Sequence, residues 1–167
     1  MKWVTRQYVH VDRTACPWLI KRFVDPKAEF IFVLAEKIEE IVKKEKAIPY
    51  DAPNVELGHH GEKCSFDSIV EKYRIKDPAV LELAKIVRAA DTDKMDSVPE
   101  AAGLEAIMTG IGMVAKDDRE AIEKARSVYD ALYANCKLRL VREKHRDEIE
   151  KMDRKQRREF LKKRLME

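Results

Sequence analysis

Hydrophobic and polar positions follow two different rhythms along the chain. Between Trp3 and Val11, β-branched and aromatic residues predominate and predict a strand. Residues 29–34, Glu-Phe-Ile-Phe-Val-Leu, are nearly all apolar, the pattern of a strand covered on both faces. Between them, residues 12–17 are expected to turn the chain. Pro17 is expected to open a short helix over about 17–24 that carries Trp18, Leu19, Ile20 and Phe23. Ile38, Ile41 and Val42 recur at helical spacing within 36–46, and residues 47–51 can add a short edge strand. This is a β-α-β-α unit with parallel strands.

The second half is helical throughout. Ser65 is placed to cap a helix with Phe66, Ile69, Val70 and Tyr73 on one face. Asp77-Pro78 is an N-cap followed by proline at the first helical position, with Val80, Leu83, Ala84 and Val87 as the stripe behind it. Ser97 and Glu100 have capping-box spacing ahead of Leu104, Ile107, Met108 and Ile111, and Gly110 and Gly112 are expected to end that helix. Asp117 caps a further helix that runs through Ala121, Ala125, Val128, Leu132 and Cys136 into the tail. On that helix Asp130 calls for a partner such as an arginine. The predicted fold class is α/β: a small N-terminal β-α-β-α sheet unit, an all-helical half and a long charged C-terminal helix, divided as 1–136 and 137–167.

Composition narrows the function classes. The 167 residues are 45% apolar and 39% charged, which excludes a disordered chain and fits one domain with solvated helix faces. No apolar run reaches membrane-spanning length, and the N-terminus lacks signal-peptide order. Cys16, Cys64 and Cys136 are odd in number and far apart, so a reducing cytoplasm is expected rather than a disulfide scaffold. Residues 137–167 hold thirteen Lys/Arg against seven Asp/Glu, whereas the body holds 21 against 24. The tail contains i,i+4 pairs such as Asp147–Lys151, Glu150–Arg154, Asp153–Arg157 and Glu159–Lys163, and a thin apolar seam. It reads as a solvated helix or as a seam for a homodimer. Nucleic acid is disfavoured, because acids are interspersed with the cations.

Candidate chemistry gathers at three places: the turn after Val11, the glycine-bounded loop, and the helix end Arg88-Ala89-Ala90-Asp91-Thr92-Asp93. The turn after Val11 presents Asp12, Arg13 and Cys16 where a helix opens, and free N–H groups there attract anions. Arg6 and Arg13, with Arg88 farther on, are candidate anion-binding residues for a small oxyanion. The same field would favour a Cys16 thiolate at the N-cap; the alternative is Asp12 as a cap, Arg13 as its partner and Cys16 as a small buried apolar residue. The stretch Gly58-His59-His60-Gly61-Glu62-Lys63-Cys64-Ser65-Phe66-Asp67 is the second place. His59, Cys64 and Asp67, joined by Asp91 if the helix end after Arg88 faces this loop, are candidate ligands for Zn, Fe or Mn, with a bound water to activate. Cys16 and Cys64 are the candidate reactive thiols. Against the metal reading, no paired C-x-x-C or H-x-x-x-H spacing is present, and local hydrogen bonds would also explain the loop.

Four blocks carry a resemblance. Val11-Asp12-Arg13-Thr14-Ala15-Cys16-Pro17-Trp18-Leu19-Ile20-Lys21-Arg22-Phe23, then Glu56-Leu57-Gly58-His59-His60-Gly61-Glu62-Lys63-Cys64-Ser65-Phe66, then Ile86-Val87-Arg88-Ala89-Ala90-Asp91-Thr92 and Tyr129-Asp130-Ala131-Leu132-Tyr133 resemble the C-terminal domain of the ChrB family over about residues 3–136. The resemblance implies a bacterial or archaeal protein linked to chromate resistance, in a family whose members are described as regulators or as exported proteins. Relative to full-length members, the chain is expected to be a stand-alone version without the N-terminal domain and with an added charged tail. The resulting expectation is a cytoplasmic, chromate-responsive stress protein that binds a small oxyanion at helix N-termini. A metal-dependent enzyme and a dimeric interaction protein are the alternatives. All three rest on the early turn, the glycine-bounded loop and the later helix end converging on one hollow.

Overall fold

The computed structural model describes residues 1–92 and 94–166; Asp93 and Glu167 lie outside them. β1 (Lys2–Arg6) leads through α1 (Val11–Phe23) to β2 (Glu29–Val33), then through α2 (Ile38–Glu45) to β3 (Ile48–Pro49). The three strands are all parallel in the order β2-β1-β3. Helices follow: α3 (Ser65–Lys72), α4 (Pro78–Asp91), α5 (Ala101–Val114), α6 (Asp118–Lys144), α7 (Arg146–Glu150) and α8 (Arg154–Met166). The α/β class and the sheet-first, helices-after order are as the sequence indicates.

Strand periodicity divides the interior. Trp3 faces the main core with Leu19, Phe66, Leu83 and Tyr129, whereas the next residue, Val4, packs on the opposite sheet face with Ile38, Ala47 and Ala52. The first strand is shorter than the apolar pattern predicts. Tyr8 adopts a left-handed φ of 63°, and the N–H groups of Tyr8 and Val9 donate to the Asp118 carboxylate at 3.1 and 2.8 Å instead of to a neighbouring strand.

That early stop moves the helix start. Residues 12–16, expected as a turn, form the first part of α1, and Pro17 lies inside the helix rather than at its opening. Side chains anchor this turn from without and within: Tyr129 Oη of α6 donates to the Val11 carbonyl at 2.9 Å, and Thr14 Oγ1 of α1 itself donates to the His10 carbonyl at 2.8 Å. On the other side of α1, Asp130 accepts from Trp18 Nε1 at 2.9 Å and from Arg22 at 3.1 Å, the arginine its position calls for.

Two further boundaries differ from expectation. Gly110 and Gly112 do not end α5, which continues to Val114; glycine costs a helix only about 1 kcal/mol, and the surrounding sequence is strongly apolar. Ser97 does not cap α5 either, for its hydroxyl donates to the Lys94 carbonyl at 2.6 Å and the helix begins at Ala101.

The charged tail is helical but does not project as one long helix. The chain breaks at His145 and again after Glu150, so that α8 returns along α6. Lys137 Nζ donates to the Leu165 carbonyl at 3.0 Å, His145 packs edge-on against Phe160, and Leu161 is buried. The apolar seam expected to serve a second copy is buried within the chain at Ile149 and half-buried at Leu138, Val141, His145 and Met152. No helix among the described residues is long and apolar enough to cross a membrane.

Candidate functional site

Four elements converge on the N-terminal end of α1. Asp12 comes from the first turn of that helix, Asp51 from the residue after the β3 segment and Tyr50, His59 from the glycine-bounded loop, and Asp91 from the last residue of α4. The loop is shaped for delivery of His59. A Cβ on Gly58 would lie 2.9 Å from the Ala52 carbonyl and 3.1 Å from that of Val55, so the chain can pass here only as glycine. The Gly58 carbonyl accepts from Ser68 Oγ at 2.8 Å, fixing the loop to α3. Gly61, at φ 61°, allows the tight turn in which His60 and Lys63 exchange backbone hydrogen bonds. His60 turns away and bonds the Glu56 carbonyl at 2.8 Å, leaving His59 as the histidine of the site.

His59 Nε2 sits among three carboxylates: 3.2 Å from Asp91 Oδ2, 3.3 Å from Asp51 Oδ1 and 3.4 Å from Asp12 Oδ2. Asp12 and Asp51 are almost fully buried, and the His59 side chain is 44% exposed, so the cluster is a buried acidic floor under a partly open imidazole. One donor atom each from Asp12, His59 and Asp91 lie within 4.8 Å of one another. A tetrahedral ion with bonds near 2.1 Å places its ligands about 3.4 Å apart, close to the spacings found.

Protonation follows from this geometry. Contact with Asp12, aided by the charges of Asp51 and Asp91, lifts His59 from 6.5 to about 9 against the effect of its partial burial. Burial first, then the neighbouring Asp12 and Asp51 carboxylates, lift Asp91 from 3.8 to about 7. A proton thus holds together a cluster that carries an excess of acid oxygens, the situation a divalent cation also resolves.

The remaining candidates surround this centre in distinct roles. Asp12 does more than line it: its carboxylate accepts the Ser65 and Phe66 N–H groups at 2.6 and 3.1 Å and so caps the N-terminus of α3 across the fold. Asp91 in turn accepts the Asp12 N–H at 3.2 Å. The helix ends expected to attract a small anion are therefore filled by the protein's own carboxylates. The arginines are committed in the same way. Arg13 donates to Asp51 Oδ2 at 2.9 Å and to the Tyr8 carbonyl, Arg6 donates to the Asp51 carbonyl at 3.0 Å, and Arg88 Nε lies 3.1 Å from Asp67 Oδ2.

Asp67 and Cys64 belong to the cap of α3 rather than to the His59 cluster. Cys64, not Ser65, is the N-cap, and its N–H donates to Asp67 Oδ2 at 3.1 Å. Burial raises the Asp67 carboxyl, with Arg88 opposing. The thiolate character expected of the cysteines is not what these surroundings favour. Cys16 lies one turn inside α1, 3.5 Å from Asp12 Oδ1, and burial followed by that carboxylate drives its thiol well up. Burial and the charges of Asp12 and Asp67 do the same to Cys64. All three cysteines are buried and free.

The family model described as ChrB, C-terminal domain, matches residues 3–136. The chain belongs to the ChrB C-terminal domain family. It is 30% identical over 135 residues to Protein ChrB of Cupriavidus metallidurans, an alignment that spans 80% of this chain and 40% of that protein. The chain thus covers well under half the length of this relative. No solved structure matches significantly. All residues of the His59 cluster lie inside the ChrB domain match, whereas α7 and α8 lie beyond it.

Of the residues that sequence reasoning selected, His59 and Asp91 as ligand candidates come together, Cys64 and Asp67 stand apart in the α3 cap, and Arg6, Arg13 and Arg88, selected for an anion, lie against Asp51 and Asp67. Sequence reasoning missed the place of Asp12 beside His59, having weighed that residue as a local cap, although the first ChrB block contains it. It missed Asp51 altogether: a carboxylate at the end of a two-residue strand carries no pattern.

Proposed function

We propose that this ChrB-family chain acts in the cytoplasm in chromate resistance through a divalent transition-metal centre held by Asp12, His59 and Asp91, with Asp51 in reach as a further oxygen donor. The observation that carries the reading is His59 Nε2 at 3.2–3.4 Å from three separate carboxylates, two of them buried. One imidazole with hard oxygen donors suits Zn, Fe or Mn better than the soft-ligand metals. Arg13 and Arg6 hold Asp51, and the α3 N-terminus holds Asp12, so the donors are oriented by neighbours of the kind metal sites require. His59 is the partly open side, where a cation would keep positions for water or a small oxygen ligand.

Charge counting also favours a cation over a metal-free oxyanion pocket. Above about pH 7, where Asp91 has given up its proton and His59 still holds its own, Arg6, Arg13, Arg88 and His59 balance the carboxylates of Asp12, Asp51, Asp67 and Asp91, which leaves no surplus to attract a dianion. Exchange of the His59 proton for a divalent ion turns that balance positive by one unit. A tetrahedral oxyanion such as chromate would then be attracted to the open face, with the cation as its anchor. Reduced thiols enter this scheme as packing groups, since Cys16 and Cys64 are held protonated.

The test is calorimetry on chelator-stripped protein with Zn, Mn and Fe(II) salts. Saturation at one equivalent is expected for the wild type, and at least a tenfold loss of affinity for His59→Ala and for Asp91→Ala. Chromate should bind only after the metal. Absence of metal binding, or affinity unchanged in both variants, removes the reading.

A further inference from the structure

We propose that the cleft between α6 and the α7–α8 return binds the phosphate backbone of duplex nucleic acid, independently of the His59 centre. The cleft has a volume of about 650 Å³ and is lined by Arg139, Arg142, Arg146 and Arg157 against Glu143 and Glu150. Arg139 is held by Glu100 at 3.0 Å, and Arg157 donates to the Met152 carbonyl. Arg142 and Arg146 are exposed and have no hydrogen bond or ion pair among the described residues.

The sequence obscures this surface because acids and bases alternate over the tail as a whole. The fold separates them. Asp147–Lys151, Glu150–Arg154 and Asp153–Arg157 have the spacing of helix ion pairs, but the end of α7 at Glu150 takes the partners of the first two pairs out of a common helix. Asp153 instead caps α8, accepting the Gln156 N–H at 2.9 Å. What remains on α8 is seven Lys or Arg residues against the single acid Glu159. Arg154, Lys155, Arg158, Lys162 and Lys163 are exposed.

The occupant follows from charge and from what is missing at the surface. Guanidinium forks match phosphodiester oxygens. Of the apolar residues of α8, Leu161 is buried and Leu165 half-buried, which leaves Met166 as the one exposed apolar side chain among the helix's described residues, too little for insertion into a lipid surface. Phe160 is packed on His145, so among the described residues of α7 and α8 no open aromatic platform offers the stacking that single strands use. A 13-residue helix about 20 Å long, facing a duplex with one charge per ~1.7 Å, meets several phosphates without reading bases.

The experiment is fluorescence anisotropy of the full chain with two unrelated 20-base-pair duplexes. Binding of both within twofold of each other is expected. With about three phosphates contacted, affinity should fall about forty-fold between 50 and 200 mM salt. Arg142→Glu/Arg146→Glu should weaken binding at least tenfold and Arg142→Gln/Arg146→Gln at least threefold. Lys43→Glu/Lys44→Glu on α2 makes the same change in net charge as the first pair and should cost less than twofold. The glutamine pair decides if the glutamate pair fails to fold. No duplex binding at 50 mM salt, equal losses in cleft and α2 pairs, capture by phosphatidylserine vesicles without duplex binding, or displacement by micromolar tripolyphosphate each overturns the proposal.

Discussion

Asp12→Ala is expected to be the most damaging single substitution in the molecule. The carboxylate satisfies two buried backbone donors at the start of α3 and faces His59, and Cys16 donates to it from within α1. Its removal leaves the Ser65 and Phe66 N–H groups unpaired at a helix end. Each such group costs about 1–3 kcal/mol, and loss of one member of a buried charged set costs about 3–5 kcal/mol. Against a total stability of about 5–15 kcal/mol, a fall in melting temperature of about 10 °C or more should be measured by calorimetric scanning. Asp12→Asn keeps one carbonyl acceptor and should fall less, yet lose metal affinity equally. His59→Ala, at a partly exposed side chain, should bind no metal and, at about pH 9 and above, where the wild-type imidazole has lost its proton, melt within a few degrees of the metal-free wild type. A mild effect of Asp12→Ala on melting would mean that the carboxylate does not bridge α1 and α3.

Stability of the metal-free protein should fall as pH rises, and metal should reverse the trend. His59 has its folded pKa raised from 6.5 to about 9, so its contribution is complete below about pH 6.5 and is lost as pH rises through about 9. Asp91 is an acid with its folded pKa raised from 3.8 to about 7; the folded state holds that proton more tightly, and the benefit present at low pH is lost as pH rises through about 7. The two shifts act in the same direction, so metal-free protein should melt lower at pH 9 than at pH 6. A cation needs both ligands deprotonated, so its affinity rises over the same window. At a hundredfold excess over the dissociation constant it contributes about 2.7 kcal/mol, or about 5–10 °C for a chain of this size. Thermal unfolding from pH 5.5 to 9, with and without Zn or Mn, reads both effects. A metal-induced shift that shrinks at higher pH would contradict the assignment.

The periodic elements were legible from local pattern because burial of one face enforces it. β2, α3, α4 and α6 begin within a residue or two of where apolar spacing and caps place them. Local pattern failed where a distant group took over the backbone. Asp118 ends β1 by accepting from Tyr8 and Val9, and Asp12 joins the local Cys64–Asp67 cap by accepting the Ser65 and Phe66 N–H groups at the start of α3. The tail failed for another reason: no Gly or Pro marks the breaks at His145 and after Glu150, and what accompanies them is tertiary, the packing of Phe160 on His145 and the burial of Leu161. The site was legible where residue chemistry is rare, at His59 within its glycine frame. It was invisible at Asp51, whose carboxylate reaches the cluster through a left-handed turn at φ 42° rather than through any sequence spacing.

The most direct measurement is anomalous scattering at the Zn or Mn absorption edge from crystals of the tag-free protein grown with that metal. The account predicts one dominant peak about 2.0–2.3 Å from Asp12 Oδ2, His59 Nε2 and Asp91 Oδ2, absent from His59→Ala crystals. A peak bound elsewhere, or an intact imidazole–carboxylate cluster with no peak at saturating metal, would contradict it.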